Sequence, residues 1–304
     1  MRVSTTMLHQ SMLAYVQRAS ARMLTVQRQI ASGERLHAPS DDPAAAARVL
    51  VLNSTKSATE QNARNVDRCR VFAEASEATL ARLTEIVTEA RTLGTEAASD
   101  SYGASETAAF AAQIDALIEE ALAEANRSEG GVHLYAGEDT SRPPLTATRD
   151  AAGRIVSVAR STPDAGEGAL QRLVDDHVLL TINTPGTDVF GENVELFDHL
   201  IALRDAAAAN DHGAVAGQLD ALDSDLERVA IAQAGVGVLL QTITSLDGTL
   251  ASRTTAVQAS RSELADTDMA EAIVAYQREQ TMLQAALSAT SQMLNLSLAN
   301  LIGQ

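Results

Sequence analysis

Four stretches of the chain repeat apolar residues at alternating steps of three and four. The first is Met12, Val16, Ala19, Met23, Val26 and Ile30. The second is Val66, Cys69, Ala73, Ser76, Leu80, Leu83, Val87 and Ala90. The third runs through Val215, Leu219, Leu222, Leu226, Val229, Val236, Leu240, Ile243, Leu250 and Val257, and keeps register to Leu264. The last holds Met269, Ile273, Tyr276, Leu283, Leu287 and Leu294, with Gln280 and Thr290 filling the steps. Such spacing places apolar side chains on a single stripe once per turn, the pattern of coiled-coil packing. A helix from Val215 to Leu264 would be about 75 Å long at 1.5 Å per residue. A second of similar length is predicted from Asp42 to Ser99. Phe110, Ile114, Leu117 and Ala121 predict a shorter amphipathic helix that ends near Asn126.

The breaks between these stretches have their own chemistry. Ser32-Gly33 follows the first run, and glycine suits a helix C-terminus. In His37-Ala38-Pro39-Ser40-Asp41-Asp42-Pro43, Ser40 or Asp41 is expected to cap the next helix, with Pro43 in its first turn. A turn is expected around Ser99-Asp100-Ser101-Tyr102-Gly103. From Gly130 to Asn193 the pattern changes: four of the six prolines fall here, and Ile155–Val158 and Val178–Ile182 read as short strands. The predicted order is helix, helices, β-rich insertion, helices, helix. No repeat of solenoid period is present.

Composition narrows the function. Aromatic residues are 3% of the chain, with no Trp, and most of the 45% apolar share is Ala, Leu and Val. That mixture favours helices packed along thin seams over a thick core around a pocket. The net charge of −17 leaves no basic face for nucleic acid and would be repelled by an anionic membrane. No apolar run is long enough to span a bilayer, and Met1-Arg2-Val3-Ser4-Thr5-Thr6 lacks the apolar segment of a Sec signal. Cys69 is the only cysteine, so no intrachain disulfide forms.

Candidate chemistry is thin. Asp41-Asp42 and Asp266/Asp268 sit at helix starts, where carboxylates cap and favour the dipole. The six histidines are scattered, with no His-x-x-x-His pair for zinc. Asp175-Asp176-His177 has no accompanying nucleophile motif, and no phosphate-binding Gly-x-x-x-x-Gly-Lys loop exists. No catalytic, cofactor or metal residue is expected, and the chain reads as a non-enzyme.

Three stretches resemble the flagellin superfamily and, within it, the hook-associated protein 3 family. They are Gln29–Leu36 followed by Pro39–Ala44; Tyr135-Ala136-Gly137 with Asn183–Phe190; and Asp266–Glu271 before the final heptads. Ser32, Gly33 and Arg35 match a Ser-Gly-x-Arg turn, and Ser40, Asp41, Asp42 and Pro43 the Asp-Asp-Pro variant of the hook-associated branch. Together they cover nearly the whole chain in order. The family usually has an aromatic residue in the strand near Val158, where this chain has Ala159.

The resemblance implies a mainly α, elongated, flagellin-like helical bundle with paired N- and C-terminal helices and a small β-rich insertion domain. Residues 1–40 with 265–304 are expected to form the inner coiled coil, 41–130 with 194–264 the helical rod, and 131–193 the outward-facing insertion. It implies a junction subunit of the flagellum that self-associates in a ring, between another hook-associated protein on the hook side and flagellin on the filament side. It further implies type III export to the cell exterior, with a cytoplasmic chaperone on the C-terminal helix at Leu283, Leu287, Leu294 and Leu298. Isolated helices with narrow apolar stripes are marginal, so Met12, Val16, Met23, Val26, Ile30, Met269, Ile273, Tyr276, Leu283, Leu287, Leu294 and Leu298 are expected to be covered by neighbouring subunits. The alternatives are flagellin itself, or a coiled-coil signalling protein, which the central β segment disfavours.

Overall fold

The structure, a computed structural model, describes residues 3–175 and 178–302. The leading elements are α1 (Val3–Ser32), α2 (Pro43–Ala97) and α3 (Ala104–Ala125). Then come β1 (Ser128–Glu129), β2 (Val132–His133), β3 (Leu145–Arg149), β4 (Ile155–Arg160), β5 (Gln171–Asp175) and β6 (Val178–Thr181). The chain continues with α4 (Gly186–Phe190), α5 (Glu195–Ala208), α6 (His212–Ala265) and α7 (Met269–Ile302). The chain divides into two compact units, Met1–Ala58 with Arg253–Gln304, and Thr59–Ser252.

In the central unit every member of the expected α2 stripe is buried: Val66, Cys69, Ala73, Ser76, Leu80, Leu83, Val87 and Ala90. The α6 stripe supplies Val215, Leu222, Val229, Val236, Ile243 and Leu250 to the same core. By length and composition α6 is the one helix among the described residues that could cross a bilayer, with a window of mean hydropathy 1.6. The expectation that no segment reaches membrane length is corrected there, because isolated glutamines break the run without lowering its average enough.

The β-rich region is three separate antiparallel hairpins, β1–β2, β3–β4 and β5–β6. Two-stranded sheets are marginal alone, and these lean on helices: Leu145, Ile155, Val158, Val174 and Ile182 enter the core shared with α2, α3, α5 and α6. Asn65 of α2 donates its Nδ2 to the Leu173 carbonyl at 2.9 Å, and Asn126 brackets Leu145 through both main-chain groups at 3.0 Å. Buried Arg204 of α5 reaches Asp115 of α3 at 2.7 Å and the Ile155 carbonyl of β4 at 2.6 Å.

The two halves of the second family-like motif meet. Tyr135 is fully buried, with its ring edge-on to Phe190 at 5.4 Å and its hydroxyl donating to the Ser76 carbonyl. Burial pushes that phenol far above its usual pKa. Gly186 lies so close that a Cβ on it would come within 2.6 Å of the Tyr135 carbonyl oxygen.

Candidate assembly site on the terminal helices

Residue Gly33 ends α1 with φ +73, a conformation that favours glycine. The next residues do not merely turn; they pair. Glu34 forms an antiparallel bridge with Asp266, the Arg35 amide donates to the Ala265 carbonyl at 2.7 Å, and the Thr267 amide donates to the Gly33 carbonyl at 2.8 Å. Arg35 adds a side-chain donor to the Leu264 carbonyl at 2.7 Å, and Arg261 pairs with Glu34 at 2.7 Å. The first and third family-like motifs are thus two sides of one clamp. Ser32 Oγ closes it locally, at 2.9 Å from both the Arg28 carbonyl and His37 Nε2.

The caps differ from expectation. Asp42 caps α2, accepting from the Ala45 amide at 3.0 Å, with Pro43 opening the helix. Asp41 instead accepts from the Ala38 and His37 amides at 2.9 and 3.0 Å and holds the preceding turn. Those two amides keep its carboxyl below the usual range. Ser40 lies exposed on the same turn. At the far side Asp268 caps α7 through the Ala270 and Glu271 amides, while Asp266 belongs to the clamp.

From this clamp α1 and α7 lie side by side, antiparallel. Near the clamp Thr25 and Val26 face Glu271 and Val274; further out Met12 and Tyr15 face Ala286 and Thr290. Midway, Arg22 Nε donates to both carboxylate oxygens of Glu279 at 3.1 Å. The α1 seam is the predicted one: Ala19 is buried, and Met12, Val16, Met23, Val26 and Ile30 are half-buried. These five were expected to be left for neighbouring subunits; α7 covers them in part within the same chain.

On α7 the seam is rotated from the predicted stripe. It runs through Ala272, Tyr276, Glu279, Leu283, Ala286 and Thr290. Tyr276 and Leu283 belong to it as expected. Met269, Ile273 and Leu287 do not; Ile273 is 46% and Leu287 51% exposed. The apolar arc on α7 is wider than a two-helix seam can cover, and the small Ala272 and Ala286 lie on its covered side. The bulkier residues are left on the flank. The backbone of Leu294 and Leu298 lies in α7, and their side chains fall outside the described residues.

Two apolar flanks remain. One carries Leu13 on α1 with Ile273 and Leu287 on α7. The other is a pair of shallow grooves of about 620 and 310 Å³, sharing Arg22 and Met282, with Val274 and Arg278 in the first and Tyr15 and Ala289 in the second. Among the described residues no group of three or more His, Cys, Asp or Glu is placed to hold a metal ion.

Comparison with known proteins matches this anatomy. Residues 3–140 match the bacterial flagellin N-terminal helical region, and residues 219–302 the C-terminal helical region. Flagellar hook-associated protein 3 of Escherichia coli (strain K12) is 28% identical over 320 residues, spanning 99% of each chain. The fold is shared with Bacillus cereus FlgL, at a TM-score of 0.58 and 17% identity over 70% of this chain and 99% of that one. It is also shared with the flagellar junction protein FlgL from Legionella pneumophila, at 0.56 and 11% over 72% and 99%. Its two terminal helical regions, matched in order, place this chain in the flagellin superfamily, and its end-to-end likeness is to flagellar hook-associated protein 3.

Proposed function

We propose that this chain is the structural subunit that joins the hook of the bacterial flagellum to its filament. The observation that carries the reading is the end-to-end likeness to flagellar hook-associated protein 3 from Escherichia coli, 99% of each chain, with paired terminal helices that leave apolar flanks uncovered. The role is mechanical and uses no catalytic residue, cofactor or metal.

In this reading the terminal pair is the assembly module (1–40 with 265–304), 41–130 with 194–264 is the rod, and 131–193 faces outward. Copies associate in a ring through the flanks of α1 and α7, with Leu13, Ile273 and Leu287 as the leading contacts. Another hook-associated protein lies on one side and flagellin on the other. The chain leaves the cell by the flagellar type III route. Before export, α7 lies in a chaperone groove through Leu283, Leu287, Leu294 and Leu298, as amphipathic helices do. Deleting residues from Thr281 onward should abolish co-purification of that chaperone; retained binding would exclude this site.

Deletion of the gene tests the function. The expected cells carry hooks, do not swim, and shed unassembled flagellin into the medium. Filaments that stay attached to the hooks of the deletion strain would overturn the junction role. Long filaments grown from the purified chain on seeds would point to flagellin instead.

A further inference from the structure

The chain's charge is divided unevenly between its two compact units. Residues 1–58 and 253–304 hold ten Lys or Arg and eight Asp or Glu, a net of +2. Residues 59–252 hold the other 13 Lys or Arg and 32 Asp or Glu, a net of −19. The whole excess of negative charge therefore lies in the central unit. The near-neutral unit is the one with the uncovered flanks, and α1 within it has three arginines and no acid.

We propose that the charge of the central unit holds copies of this chain apart until salt screens it, and that the unit built from the chain ends then brings them together. This rests on the self-association proposed above. The occupant of the flanks is a second copy of this chain, and the charge division is what selects them. Like net charge opposes compact contact between bodies that carry it. Two central units at −19 each repel; two terminal units at +2 do so negligibly. The repulsion has something to prevent, because the central unit also exposes Ile231 and Val238 on α6 and Leu179 on β6. Without the charge these would offer a second adhesive surface and misregistered contacts.

Screening sets the range of the effect, about 10 Å at 0.1 M salt and about 3 Å at 1 M. Association of the full chain should therefore strengthen with ionic strength, opposite to an interface made of ion pairs. The test is sedimentation velocity on three full-length proteins between about 20 and 500 mM NaCl. The unchanged chain should associate about tenfold or more tightly at the upper end. A variant with Glu74→Gln, Glu89→Gln, Asp220→Asn and Glu227→Gln removes four exposed carboxylates of the central unit. It should associate already at low salt, with a flatter response. A variant with Ile273→Ser and Leu287→Ser should stay monomeric throughout.

An equal salt response in the first two proteins would overturn the inference, since salt would then act only on the apolar flanks. Association that is indifferent to salt, yet lost in the serine variant, would sink the electrostatic restraint and leave terminal-helix assembly standing. A chain that is monomeric in every condition, neutralised variant included, would assign the flanks to some other protein and end both.

Discussion

Among the glycines, Gly137 is the one whose added Cβ would come nearest to backbone. Its φ is +71, and a Cβ there would stand 1.8 Å from the Glu167 carbonyl oxygen. Gly137→Ala should lower stability by about 2–4 kcal/mol, read from urea denaturation. Gly217, inside α6 with open space around it, is the control. Alanine there should add about 0.5–1 kcal/mol. Asp225 on α6 is fully buried, 2.8 Å from His199 Nδ1 and 3.1 Å from Arg228, with Glu195 nearby. Burial raises its pKa above that of the unfolded chain, against the pull of His199 and Arg228. A raised carboxyl contributes stability below its unfolded pKa and loses it as pH rises through the folded value. The lowered carboxyls of Asp41, Asp139 and Asp150 act in the opposite direction. The difference in urea midpoint between the parent and Asp225→Asn isolates Asp225. Its contribution to the parent should fall as pH rises above about 4, and a difference constant with pH would refute the assignment.

The helices behave as their sequences predict wherever a stripe has enough neighbours to bury it. All eight α2 positions are interior because α2 packs into the shared core, so Leu83→Ala should cost about 2–5 kcal/mol. On α7 only one partner is present, and a two-helix seam is narrow. Heptad counting favours the bulkiest residues, so it points to Ile273 and Leu287 and not to Ala272 and Ala286. Leu283→Ser should therefore destabilise the α1–α7 pair, whereas Leu287→Ser should leave monomer stability within about 0.5 kcal/mol while weakening association. Amides near Met23 and Leu283 should exchange faster than those near Leu240; equal protection would mean the terminal pair needs no neighbour. Other features had no periodic signal. The Glu34–Asp266 bridge joins residues more than two hundred positions apart, and nothing local in Ser-Gly-Glu-Arg or Asp-Thr-Asp announces the other. Short β1, β2 and α4 and the aromatic contact of Phe190 with Phe197 depend on the same kind of distant packing.

For the molecule as a unit, the clamp decides when folding can finish. α1 is at the start of the chain, and its mate α7 is at the end. The Thr59–Ser252 unit draws its core from residues between them and is complete earlier. A chain ending at Asp268 should keep the urea transition of that unit and lose amide protection along α1. Loss of the transition as well would show that the two units fold as one. The Gly33–Thr267 pairing has a plain outcome for a polypeptide that emerges head first. Its opening segment stays unmated until the far side of the clamp arrives, so a product halted before Ala265 never displays the joined pair. Closure of the clamp thus reports that synthesis has passed Thr267.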